Sequence, residues 1–495
     1  MRRVSQRMLF VKVWCRKFHF MKATPCRHSW ISTTETSWGS FPFDRIVFRG
    51  TLRNLSYVEG MEKFLGFLRV RFHQFGDFAK RTSKRIQDHA REYAKKQERP
   101  YRHLRSPKIS KQDEALRIRD RDGIEEGLVC VFGCSELCLS YEYTPNKEGQ
   151  GPWLAKKERQ GLFVYFYFMD REFGLIYVRL QTWLPMDIQI GVNGREYLAR
   201  RLDKAGIGYE KRDNCFTRID DLPRAQKMLD SLLTRKWPQL LNRLARQINP
   251  HFRQGGLLSQ ASYYWTFRET EWATDVMFQD AARLAAIYLS LVRHAIEQFG
   301  CADVLRFLGR RTNKRFADDP TTDYKEWIEG IRVKHRVEEN SIKMYDKQGS
   351  VLRVETLIVN PKRFRGLREV RRKGELTLAW VPLRKGIMDI ARRAEIGRAA
   401  NERYFEALGV VGAPAPTRQL FDPVSQRTIR GGRPYRGLRP IDSEETRLFA
   451  AVLSAQHHVQ GFRNKHIRAA LYGEEVNAES LARPFGRNPM MARFP

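Results

Sequence analysis

Lys343, Tyr345, Arg353 and Glu355 alternate with apolar residues in two short β-rich runs, Ser341–Tyr345 and Val351–Ile358, with a loop of Gln348, Gly349 and Ser350 between them. Side chains two apart on a strand share a face, and a glycine-containing three-residue loop fixes the register of a hairpin. That register predicts Lys343 opposite Glu355 and Tyr345 opposite Arg353, with Ile342, Met344, Leu352, Val354 and Ile358 on the other, buried face. A carboxylate among cations can hold a divalent ion, expected here to be Mg²⁺ or Mn²⁺ on Glu355. Lys343, Lys347 and Arg353 could then hold a phosphate, and Tyr345 could attack it. The same face could also be a plain phosphate cradle without catalysis.

Other acids could complete a metal site. Asp44 lies on the first β-rich run, FDRIVFRGTL, and Asp170 ends the run LFVYFYFMD. Both positions also suit aspartates that merely close turns. Glu271 and Asp275, in YYWTFRETEWATDVMF, read as one helical turn apart, a spacing that would let them share a helix face and an ion. Tyr263, Tyr264, Trp265 and Trp272, near Arg268, read either as a stacking platform for unpaired bases or as core.

The pattern K-x-Y-x-K followed by L-R-x-E, from Lys343 to Glu355, resembles the strand pair of replication initiators from filamentous phages and rolling-circle plasmids. The resemblance implies an antiparallel sheet that carries a divalent metal and nicks one DNA strand with a tyrosine. It implies Glu355 as a metal ligand and Lys347 as a phosphate or positioning group. Tyr345 matches that family's strand tyrosine, not its nucleophile, and the family's His-x-His pair is absent here. FDRIVFRGTL, LARRLDKAGIGYEKRDN and KMYDKQGSVLRVE are also similar to segments of long bacterial proteins, which implies a mobile-element setting.

The rest of the chain fits a polyanionic partner. It has 495 residues, 90 Lys and Arg against 56 Asp and Glu, and a formal net charge of +34. So large an excess repels itself unless a polyanion neutralises part of it, and nucleic acid, DNA before RNA, is the expected partner. No apolar run is long enough to span a bilayer. Seven cysteines point to reduced thiols and a cytoplasmic, nucleoid-associated protein. Cys130, Cys134 and Cys138 lack the spacing of a zinc site and read as buried strand residues. Walker, dinucleotide-fingerprint, His-Glu-x-x-His and Gly-x-Ser-x-Gly motifs are absent, which removes several enzyme classes.

The elements that must position these residues predict an α+β fold, an antiparallel sheet region flanked by helices, with a helix-turn-helix-like module at the carboxyl end. Residues 1–40 read as a basic arm, or as an over-long start. Residues 41–126 read as a strand plus basic helices whose outer face carries Lys80, Arg81, Lys84, Arg85, Arg91, Lys95 and Lys96. Residues 127–409 read as a core with two sheet regions, 410–440 as a Pro/Gly/Arg-rich linker and 474–495 as a loose tail. Within 441–473, Asp442 and Glu445 have the spacing of a helix cap. The second helix there would bury Phe462, Ile467 and Leu471 and direct Arg463, Asn464, Lys465 and Arg468 at a duplex, with Lys334 and Arg336 as further nucleic-acid contacts.

Overall fold

The computed structural model describes residues 36–41, 44–145, 152–309, 320–327, 330–372, 374–409, 424–430, 432–439, 442–452 and 462–472. The basic arm over 1–35, the first part of the expected linker (410–423) and the tail lie outside these residues.

The first half opens with β1 (Thr36–Phe41), β2 (Arg45–Thr51), α1 (Val58–Phe67), α2 (Phe75–Lys96), β3 (Tyr101–Leu104) and α3 (Lys111–Asp122). Ser110 caps α3 by accepting from Asp113 N, and Gly123 ends it at φ 59°, a left-handed conformation that a glycine adopts without a Cβ clash. A meander follows: β4 (Gly127–Thr144), β5 (Trp153–Asp170), β6 (Gly174–Gln181) and β7 (Ile188–Asn193). The runs GLVCVFG and LCLSYEY are one long strand, β4, because Cys134 to Leu137 continue its pairing with β5. Then come α4 (Gly194–Ala205), β8 (Tyr209–Arg212), β9 (Cys215–Ile219), α5 (Leu222–Asp230) and α6 (Trp237–Ile248).

The second half is β10 (Tyr264–Phe278), α7 (Ala281–Glu297), α8 (Cys301–Phe307), β11 (Thr321–Trp327), β12 (Gly330–Val337), β13 (Asn340–Lys347) and β14 (Val351–Ile358), followed by the ribbon β15 (Arg365–Arg372) and β16 (Glu375–Pro382). It closes with α9 (Ile390–Leu408), the short strands β17 (Thr428–Arg430) and β18 (Arg433–Tyr435), α10 (Ser443–Val452) and α11 (Asn464–Tyr472).

The expected sheet regions are one twelve-stranded sheet in the order β11-β12-β13-β14-β10-β2-β7-β6-β5-β4-β3, with β1 also on β10. Only the β3–β4 pair is parallel among the described strands of this sheet. β10 joins the halves, pairing with β14 on one side and with β2 and β1 on the other. The architecture is thus α+β, with a large, mostly antiparallel sheet.

One face of the sheet carries Phe48, Phe166, Val178, Ile190, Ile342 and Val354, all fully buried, under α2, α6, α7 and α9. Gly397 lets α9 approach: a Cβ there would lie 2.4 Å from the Trp272 ring. Tyr263, Trp265 and Trp272 are core, whereas Tyr264 is partly exposed beneath the Arg53 guanidinium, 3.5 Å from its ring centroid. The opposite face is polar over β10–β14 and apolar over β4–β5, where Cys130, Cys134 and Phe132 pack with Ile118 of α3. The described cysteines are free, and Cys130, Cys134, Cys138 and Cys215 are buried.

Asp442 accepts from Glu445 N at the start of α10, as the cap spacing predicts. Leu448, Ala451 and Ile467 form a small cluster between α10 and α11. The turn between these helices lies outside the described residues, so the two form a packed pair and the helix-turn-helix geometry is not established. Among the described residues no helix is long and apolar enough to cross a membrane.

Candidate functional site

The β13–β14 hairpin has the register its sequence predicts: Lys343 pairs with Glu355 and Tyr345 with Arg353. Gln348 and Gly349 turn the chain with φ of 59° and 75°. Ile342, Met344, Leu352, Val354 and Ile358 are fully buried on the core face. The polar face is also largely covered, with Glu355 only 3% and Arg353 only 1% exposed.

Glu271 and Asp275 stand on a strand, β10, and not on a helix. The aromatic and β-branched residues around them favour extended backbone, and four strand residues span about 13 Å, against roughly 6 Å between helix neighbours. The two acids share a face but not an ion. Glu355 lies opposite Ala273, between them.

Asp44 is fixed at the entry to β2, where its backbone N–H donates to Glu271 O at 3.2 Å and its carbonyl accepts from Gly194 N at 3.0 Å. Asp44, Glu271 and Glu355 therefore converge, each offering an oxygen within 4.8 Å of the others. Oxygens on one octahedral ion with bonds of about 2.1 Å are about 3 Å apart when adjacent and about 4.2 Å when opposite, so the three carboxylates would draw closer together to share Mg²⁺ or Mn²⁺.

Cations surround the acids. Lys343 Nζ lies 2.6 Å from Glu355 Oε1 and 3.9 Å from Glu271 Oε1. Tyr345 donates to Glu355 Oε2 at 2.8 Å. Arg353 binds Asp275 through Nε and Nη2 at 2.8 and 2.9 Å, and Asp44 Oδ2 at 3.1 Å. Arg195, in the first turn of α4, reaches Asp44 at 3.2 Å and Asp275 at 3.0 Å. Asn214, between β8 and β9, donates to Asp44 Oδ1 at 2.8 Å and accepts from Asn193, the cap of α4. Arg195 and Asn214 carry no sequence motif; the strand-to-helix signal Asn193-Gly194 was the only local hint that this turn is anchored.

The network of Asp44, Asp275, Glu271 and Glu355 against Arg195, Arg353 and Lys343 is one positive charge short. Burial works to raise the Asp44 pKa, but Arg353 and Arg195 overcome it and hold the carboxyl below its ordinary range. Burial also opposes charge on Lys343, and Glu355 and Glu271 keep it protonated. The deficit falls on Glu271, pushed up to about 8 by burial and then by the Glu355 charge. Burial and Glu355 hold the Tyr345 phenol well above its usual range, so it is a poor nucleophile.

Several candidates stand elsewhere. Asp170 accepts from Glu172 N and Phe173 N at 2.8 and 3.0 Å, closing the β5–β6 turn, and is not among the converging acids. Asp275 is a salt-bridge partner of two arginines and not a member of that group either. Arg353 is spent on carboxylates, so it positions them and does not hold a phosphate. Lys347, two residues beyond Tyr345 on β13, pairs with Asp213 at 3.6 Å. Lys334 pairs with Lys343 across β12–β13, and Arg336 beside it is exposed. Burial, then Arg336 and Lys343, lower the Lys334 pKa, the mark of a cationic row that an anion would relieve. Arg463, just before α11, and Asn464 and Lys465 in its first turn are exposed, and Arg468 is half-buried.

Glu271 gives the protein a defined pH dependence. An unfolded glutamate titrates near 4.5 and this one near 8, so between those values the folded state holds the extra proton. Stability therefore declines as pH rises through that window, by on the order of a few kcal/mol. Melting at pH 5.5 and 8.5 should show a larger fall for the wild type than for Glu271→Gln. Mn²⁺ at pH 8.5 should restore the wild-type midpoint more than that of the variant, and parallel slopes would rule out this account.

Comparison with known proteins returns no matching family model, no similar curated protein and no similar solved structure.

Proposed function

We propose that this chain binds nucleic acid, DNA before RNA, and breaks or transfers a phosphodiester at the Asp44–Glu271–Glu355 cluster with Mg²⁺ or Mn²⁺. In this reading it is a DNA-processing protein of a bacterial mobile element or replicon, of nickase, transposase or initiator type. The observation that carries the reading is the convergence of three carboxylates from separate strands, one positive charge short, beside the Lys343–Lys334 row. A divalent ion would supply the missing charge and polarise the phosphoryl oxygen and an attacking water.

Lys343 would exchange its contact with Glu355 for one with the phosphate, and Lys334 and Arg336 would track the adjoining backbone. In hydrolysis the water oxygen bonds to phosphorus as the bond to the 3′ oxygen breaks. The water's proton would pass to solvent, and the departing oxygen would take one from solvent. The start of α11 would add duplex contacts through Arg463, Asn464 and Lys465.

Incubation with labelled single- and double-stranded DNA and RNA, with Mn²⁺ and with chelator, tests the reading. Cleavage confined to the Mn²⁺ samples supports it. Binding without cleavage of any substrate would leave a non-catalytic binder, the polar hairpin then being only a buried ion network. Binding itself should weaken steeply with salt. Lys334→Ala together with Arg336→Ala should reduce the slope of log K against log salt by about 2 and weaken all sequences alike, since each phosphate contact contributes about 0.9. An unchanged slope would remove that row from the interface.

A further inference from the structure

Beside the carboxylate cluster, on the same face of the sheet, lies a cavity of about 320 Å³ lined by Arg45, Glu136, Tyr165, Tyr167, Tyr177, Arg179, Gln189, Arg268 and Glu269, among others. Its wall is shared with the cluster. Arg45 follows Asp44 in sequence and pairs with Glu269 at 3.3 Å, and Glu269 is two residues before Glu271 on β10. Burial opposes charge on Arg45, while Tyr177, Glu271 and Glu269 together hold its pKa up.

Part of the cavity is already satisfied. Tyr165 donates to Glu136 at 2.6 Å and accepts from Arg179 at 2.8 Å, and Arg179 also binds Glu136 at 2.7 Å. These bonds fix one side as rigid protein. The other side is different: the side chains of Tyr167, Gln189 and Arg268 make no hydrogen bond or ion pair among the described residues. Tyr177 lies across Gly191 of the neighbouring strand, where a Cβ would be 2.0 Å from its ring. That ring therefore lies against the sheet, and Tyr167 packs beside it at a centroid distance of 6.2 Å.

We infer that this cavity receives the base of an unpaired nucleotide next to the phosphate cut at the carboxylate cluster, an inference that rests on the reading above. The volume is at the small end of small-molecule pockets, suited to one nucleoside. Tyrosine rings offer stacking to any base, and an amide, a hydroxyl and a guanidinium can read the hydrogen-bonding edge of one. A pocket for phosphate alone would not need aromatic walls.

Equilibrium dialysis of the full chain, in chelator, against the four nucleoside 5′-monophosphates and ribose 5-phosphate separates base recognition from phosphate binding. At least one nucleotide should bind about tenfold or more tightly than ribose 5-phosphate. Gln189→Leu should remove most of that preference. Arg268→Ala, at an exposed position whose loss leaves the core intact, should reduce it severalfold even if Gln189→Leu folds poorly. Equal binding of all five ligands, or a preference that survives both changes, overturns the inference. Glu355→Gln should keep nucleotide binding, so cleavage without nucleotide binding would remove the pocket alone, and nucleotide binding without cleavage would remove the catalytic reading alone.

Discussion

Glu355→Gln should lower the rate of divalent-dependent strand cleavage at least about 10²-fold, while nucleic-acid affinity stays within about twofold. Glu355 is the carboxylate on which the site turns: it touches Lys343 at 2.6 Å and Tyr345 at 2.8 Å and is one of the converging acids. Glutamine keeps its volume and an acceptor for the Tyr345 hydroxyl, so the hairpin should remain intact. What is lost is one negative charge. The ion loses a ligand, and Lys343 falls back on Glu271, which then has less reason to hold a proton. Phosphate contacts from Lys334, Arg336 and α11 are untouched, hence the small effect on affinity. Single-turnover cleavage at saturating Mn²⁺, with binding measured in parallel and melting as a control, checks this. A variant that folds, binds and cuts at the wild-type rate would take Glu355 out of the chemistry.

The hairpin was the most legible part of the site, because two strict period-two runs and a Gly-containing loop fix which residues face each other. Its burial was not legible. A face of Lys, Tyr, Arg and Glu reads as solvated or ligand-facing, whereas here Arg195 and the β8–β9 turn cover it, contacts made across more than a hundred residues of chain. The Glu271–Asp275 spacing was misleading because four residues place two acids on one face of either a helix or a strand. The Thr, Trp, Phe and Val around them carried the information that decides between these. Cys130, Cys134 and Cys138, and the apolar face of α7 with Leu284, Tyr288, Leu291 and Ala295, were readable from local pattern alone, since both depend only on which side of an element is apolar. Asp44 and Asp170 looked equivalent in sequence. They part only in three dimensions, one anchored between β10 and α4 beside other acids, the other closing a turn.

Arg353→Met should destabilise the fold by about 3–5 kcal/mol near neutral pH, a larger stability effect than any substitution at the metal-facing acids. The guanidinium is fully enclosed and binds Asp275 twice and Asp44 once, with a further bond to Asn214 O at 3.3 Å. Methionine fills much of the space but leaves two buried carboxylates with Arg195 as their remaining cation. With Glu271 holding its proton the network is balanced near neutral pH, and the variant would leave it one positive charge short. The cost should depend on pH with a definite sign. Asp44 is held below its ordinary value in the fold, so its contribution is present above the unfolded pKa of about 4 and is lost as pH falls through the folded value. The variant forfeits that contribution, so its deficit should be full above about pH 5 and should narrow as the solution becomes more acidic. Adding Asp275→Leu to Arg353→Met removes the second stranded charge and should recover part of the loss, because an apolar pair of similar volume often replaces a buried ion pair at little cost. Denaturant titrations of the single and double variants at pH 4, 5 and 7 measure all three effects. A single variant as stable as the wild type at pH 7, or a double variant worse than the single one, would mean that Arg353 does not neutralise the buried acids, and the charge count on which the metal reading stands would have to be redrawn.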